Sequence, residues 1–180
     1  METLIQDIQS RLHDLLGDRL AMIDEDYGQL QMMFEDGDDK DTYPVVSPAL
    51  TVNVREVSWQ CLAGTVQTGV ATVVVTLAID CYDDTHIQGS PDHHQRERIA
   101  ERLALMNDIH HALQGYRPSS ATPLNRVSTR LYHLPRLWKA YETTYQTTIT
   151  DAGTEPEPRS LPLSPVVRTR IERPSFNEVY

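Results

Sequence analysis

The stretch from Val70 to Tyr116 constrains the fold more than any other part of the chain. It reads VATVVVTLAIDCYDDTH, then a short loop, then RERIAERLALMNDIHHALQGY. Odd positions Val73, Val75, Leu77, Ile79 and Cys81 are apolar, whereas Thr72, Val74, Thr76, Ala78, Asp80 and Tyr82 are smaller or more polar. Alternation of period two makes a strand with one face in a core and the other free to meet water or a partner. The helix that follows carries Ile99, Leu103, Met106, Ile109 and Leu113 along one stripe. Ser90 can cap its start, Pro91 suits its first turn, and Gly115 stands where a C-terminal cap belongs. An apolar strand face followed at once by an apolar helix stripe requires layers of helix on sheet.

The flanking segments extend this into an α+β fold. Leu4 or Ile5, Ile8, Leu12 and Leu15 or Leu16 recur at helical spacing, so a helix is expected over 2–16, with Gly17 able to take a left-handed cap. Residues 19–34 alternate around Asp26-Tyr27-Gly28 and read as a short hairpin. Leu50, Val52 and Val54 share one parity, and Val57 and Trp59 have the other, which a bulge near Arg55-Glu56 reconciles. A loop is expected near Cys61–Gly69, where Gly64 and Gly69 read as turn residues. After a Pro/Ser/Thr linker, Pro118–Pro123, come strands near Arg126–His133 and Lys139–Thr150. The second has Tyr141, Thr143, Tyr145, Thr147 and Ile149 on one face. The expected architecture is a mostly antiparallel sheet packed against an N-terminal helix and a central amphipathic helix, over residues 1–151. Residues 152–180 hold five of the eleven prolines and too few large apolar residues for a core of their own. They read as an extended C-terminal arm that docks on something.

Charge narrows the function. The net charge is −10, and residues 24–41 concentrate it: Asp24, Glu25, Asp26, Glu35, Asp36, Asp38, Asp39 and Asp41 stand against Lys40 alone. Such a chain repels nucleic acid, whose binding depends on phosphate neutralisation. No run reaches the ~20 apolar residues of a spanning helix. The polar, periodic start METLIQDIQSRLHDLL does not read as a signal peptide, so Cys61 and Cys81 read as reduced core residues.

Catalytic chemistry finds no foothold. His93-His94 and His110-His111 are adjacent pairs without a histidine four residues on, and there is no HExxH, CxxC, GxSxG or GxxxxGKS. No catalytic residue, metal or cofactor is expected. Asp80, Asp83 and Asp84 read as a solvated strand end. Arg130, Tyr132, Arg136, Trp138 and Tyr141 gather residue types enriched at protein–protein interfaces, as do Arg168, Arg170, Phe176 and Tyr180 in the arm.

The runs TVVVTLAIDCYDD, ERLALMNDIHHALQGYRP and KAYETTYQTTITD, in that order after an N-terminal helix, resemble the tail-terminator, or tail-completion, family of tailed phages. Ala112-Leu113-Gln114-Gly115-Tyr116 matches the family's helix end. Tyr43-Pro44-Val45-Val46 and Val57-Ser58-Trp59 are similar to its first strand region. The resemblance covers residues 1–151. It implies a structural virion protein that caps the tail tube as a ring, a hexamer in that family, and joins tube to neck or connector proteins. DNA would pass through the lumen without sequence-specific binding, and no membrane would be involved. The protein would reside in the virion tail or neck and in host cytoplasm during assembly. The acidic segment would then lie near the lumen or the tube-facing rim. A head–tail connector or tube-associated adaptor is the alternative, followed by a soluble enzyme or small-molecule binder.

Overall fold

The computed structural model describes residues 1–34, 45–82 and 93–151. Helix α1 spans Glu2–Leu16 and buries Leu4, Ile5, Ile8, Leu12 and Leu16 along one face. Each such side chain contributes about 1.5–3 kcal/mol by leaving water. Gly17 does not take the left-handed cap; its φ is −56° and the chain runs on into a 3₁₀ turn, Gly17–Arg19.

Strand β1 (Met22–Glu25) leads to a single helical turn, α2 (Gln29–Met32). The expected hairpin over 19–34 does not form. Asp26 Oδ1 accepts from the Gly28 N–H at 3.0 Å, and Gln29 Oε1 accepts from the Tyr27 N–H at 2.6 Å. Gly28, at φ 84°, then turns the chain into α2, so β1 pairs in parallel with a later strand instead. Local side-chain bonds of this kind compete with strand ladders and start turns.

Strands β2 (Ala49–Ala63) and β3 (Val66–Asp80) form a long antiparallel hairpin. The expected bulge is present, as a register shift between Val54 and Glu56. The expected loop over Cys61–Gly69 shrinks to Gly64-Thr65, with Gly64 at φ 59°. A two-residue turn with glycine at positive φ matches the twist of the flanking strands. Gly69 therefore lies within β3, opposite Trp59. Cys81 is buried as expected, whereas Cys61 is exposed near the hairpin turn.

Helix α3 spans His93–Leu113, and β4 (Asn125–His133) and β5 (Trp138–Asp151) close the fold. Gly115 takes φ 75°, as a C-terminal cap requires, and its N–H donates to the Leu124 carbonyl at 2.9 Å. Ser90 and Pro91 lie outside the described residues. The linker is fastened rather than free. The Ser119 N–H and hydroxyl donate to Asp7 at 2.7 and 2.6 Å, and Ala121 bridges Ile149.

The sheet order is β1-β2-β3-β5-β4, antiparallel except for β1 beside β2. The fold is α+β, with both long helices on one face. There α1 and α3 cover Leu50, Val52, Val73, Val75, Leu77, Ile79 and Tyr145. The α3 stripe is only half used. Ile109 and Leu113 are buried with Leu105 and Ala112, but Ile99 and Leu103 are 40% and 45% exposed. The opposite, even-numbered face is less open than its sequence implies. Val74, Thr76 and Ala78 are buried. Leu30, Ala78 and Trp138 form a second small core there, joined by Met33, Phe34, Val45 and Leu134.

Candidate interaction surface

The strand registers place four residue rows across all five strands. Two of them define the face away from the helices: Met22–Ala49–Ala78–Ala140–Tyr132 and Asp24–Thr51–Thr76–Glu142–Arg130. The alanine row leaves room for the Leu30 and Trp138 side chains. The second row is polar from edge to edge, with Thr51, Thr76 and Glu142 buried.

Glu142 anchors this row. Its carboxylate accepts from Arg130 Nη2 at 2.9 Å and lies 3.6 Å from Arg55 Nη2. Both arginines keep over half of their side chains in solvent. The carboxylate is thus shielded while its partners remain hydrated, a cheaper arrangement than a pair buried on both sides. The bond to Glu142 raises the Arg130 pKa, as does the carboxylate's charge. The Arg130 guanidinium also lies 5.5 Å from the centre of the Tyr132 ring, within cation–π range. Burial, followed by the charge of Glu142, raises the pKa of Tyr132.

The expected interface set does not gather into one patch. Arg130 and Tyr132 share the outer face of β4. Arg136 sits in the β4–β5 turn at φ 56°, beside Leu137 at φ 66°. Trp138 is buried edge-on against Phe34, with ring centres 6.0 Å apart. Tyr141 points to the helix-covered face, packed against the main core. Asp24 and Glu25 belong to edge strand β1 rather than to a loop, and Asp26 follows it, its N–H donating to the Val52 carbonyl at 3.0 Å. Glu35, Asp36, Asp38, Asp39, Asp41, Arg168, Arg170, Phe176 and Tyr180 lie outside the described residues.

Sequence reasoning missed Glu142, Arg55, Val127 and Leu131. The even parity of Glu142 on a threonine-rich strand was a usable signal, because it shares that parity with neither Tyr141 nor Tyr145. Arg55 was hidden by the bulge that redirects it. Val127 and Leu131 are 56% and 53% exposed on β4, where all residues but Tyr132 are exposed. Further exposed apolar side chains lie along the β2–β3 hairpin: Trp59 at 42%, Leu62 at 63% and Val70 at 42%.

A cavity of about 710 Å³ lies between the 3₁₀ turn, the end of β3 and α3. Arg19, Arg98 and Arg102 line it together with Asp80 and Glu101. Arg19 is committed to Asp108 at 2.6 Å. Among the described residues the lining mixes both signs. Among the described residues, no group of three or more His, Cys, Asp or Glu side chains is placed to hold a metal. No described helix is long and apolar enough to cross a membrane.

No family model matches the chain, and no curated protein matches it in sequence. Among solved structures, it is similar to a chain of the virion of a native gene transfer agent particle. The TM-score is 0.48 and the identity 11%, over 82% of this chain and 95% of that one.

Proposed function

We propose that this chain is a structural protein of a phage-like virion, and within it the terminator that caps the tail tube as a ring. One observation carries the reading. Exposed apolar side chains occur on three separate surfaces: the β2–β3 hairpin (Trp59, Leu62, Val70), the first half of α3 (Ile99, Leu103) and edge strand β4 (Val127, Leu131). A chain that meets one partner needs one such surface. A ring subunit between tube and neck needs several, because its contacts with its two neighbours use different patches and a third meets the tube. The sequence resemblance over residues 1–151 supports the same assignment.

In this reading six copies form the ring, and the acidic segment 24–41 belongs near the lumen or the tube-facing rim, where like charge lets DNA pass. The arm from residue 152 onward docks on a neighbouring subunit or neck protein. The test is tube growth in the presence of the purified chain. A terminator halts elongation of tail tubes and appears at one tube end by negative-stain imaging. A chain that leaves tubes growing and binds only the head-side ring is a connector adaptor.

A further inference from the structure

The two edges of the sheet complement each other in register. We propose that β4 of one copy adds to β1 of the next, joining subunits through a continuous sheet. The inference deepens the ring reading and rests on it.

The strand directions permit the pairing. Strand β1 runs parallel to β2, and the steps to β3, β5 and β4 each reverse direction. Strands β1 and β4 are therefore antiparallel within the sheet. Laying β4 of one copy beside β1 of the next, with the sheet continuing, makes an antiparallel contact, the more stable kind. Among the described residues each of these strands has another strand on one side only. On β1 the Glu25 N–H donates to Asp24 Oδ1 at 2.8 Å and the Glu25 carbonyl accepts from Gln29 Nε2 at 2.7 Å, side-chain bonds that the incoming strand would replace. Unpaired edges are templates for a further strand.

The side chains match as well. Continuing each row into the next copy sets Leu131 against Ile23 on the helix-covered face. Leu131 is 53% exposed, and Ile23 is only partly covered. On the other face Arg130 meets Asp24 and Tyr132 meets Met22, while Thr129 meets Glu25. One edge carries Arg126, Arg130 and His133, and the other carries Asp24, Glu25 and Asp26. Opposite charges and apolar side chains directly across a strand pair attract, and like charges repel. This contact joins two different patches, so its repetition closes a ring when the rotation between copies divides a full turn.

Directly opposed residues of an antiparallel pair lie close enough for a disulfide. The test is Glu25→Cys with Thr129→Cys in a Cys61→Ser background, which removes the exposed native thiol. The full-length chain is assembled on tail tubes, oxidised and run on a denaturing gel. The expected result is a covalent ladder extending beyond the dimer, with no ladder from either single-cysteine variant. Rings visible by negative stain without a ladder overturn the edge pairing and leave the ring reading standing. Absence of both rings and ladder overturns both. A second variant, Leu131→Asp, changes an exposed edge position. It is expected to keep the circular dichroism of the parent and lose the ring, and a retained ring overturns the proposal.

Discussion

The indole of Trp59 lies across Gly69, its direct partner on the neighbouring strand. A Cβ at Gly69 would lie 2.8 Å from Trp59 Cε3 and 2.6 Å from Val57 Cγ1, too close for either. A glycine weakens a strand, but here it gives the ring a flat seat, as aromatic side chains do when they cover sheet glycines. Gly69→Ala is expected to displace the indole and cost about 1–3 kcal/mol, the usual range for overpacking. Chemical denaturation measures the loss. Trp59→Ala in the same chain should recover part of it, because the second substitution removes one of the two clashes.

The bridge of Arg130 and Arg55 on Glu142 makes a different prediction. Glu142→Gln keeps the shape of the side chain and removes its charge, so the denaturation midpoint should fall. The loss should be smaller in an Arg130→Ala background, because the two substitutions remove one shared interaction. A double-mutant cycle in which the two effects simply add would show that the pair contributes nothing to stability.

Leu12 is fully buried between α1 and the sheet. Leu12→Ala leaves a cavity that neighbouring strands cannot close, and should cost about 2–5 kcal/mol in a urea titration. Leu15, three positions along the same helix, is 49% exposed, so Leu15→Ala should change stability little.

His110 and Tyr145 predict two pH dependences. His110 Nδ1 lies 3.3 Å from the Tyr145 hydroxyl. Burial lowers the His110 pKa, and the charges of Arg126 and His111 lower it further. The unfolded chain then binds this proton more readily than the folded one. Stability from His110 is present above the ordinary histidine value of about 6.5 and is lost as pH falls below it. Urea midpoints measured on the acid side should fall with pH, and less steeply in His110→Gln.

Burial pushes the Tyr145 pKa up to about 12, against a smaller opposing effect of Arg126. An unfolded tyrosine ionises near 10, so the stability from Tyr145 is intact below about pH 10 and is lost as pH rises toward 12. Tyr145→Phe should flatten the alkaline limb of a stability–pH curve. An unchanged limb would mean that the hydroxyl is hydrated.

The periodic elements were legible in the chain itself. The α1 stripe, the odd face of β3, the bulge after Val54, the Gly115 cap and the tyrosine–threonine face of β5 all follow from spacing. In each case the burial pattern is set by one element's own periodicity. What spacing could not supply was the pairing of elements distant in sequence. The parallel seat of β1 depends on the side-chain turn of Asp26, Gly28 and Gln29, which leads the chain off the sheet. The half-exposed stripe of α3 shows only in the fold, where Leu105, Ile109, Ala112 and Leu113 reach the core and Ile99 and Leu103 do not.

The candidate surface shows the same division. Arg130 and Tyr132 stood out by residue type, but Trp138 and Tyr141 have the same character and were drawn into separate cores. Glu142 acquires meaning only beside Arg130 and Arg55, which lie 12 and 87 positions away in the chain. Sequence determined which residues are apolar and at what period, because local geometry alone sets those faces. Only the tertiary structure decided which strands share a row, because register is a contest among whole strands that no single segment decides.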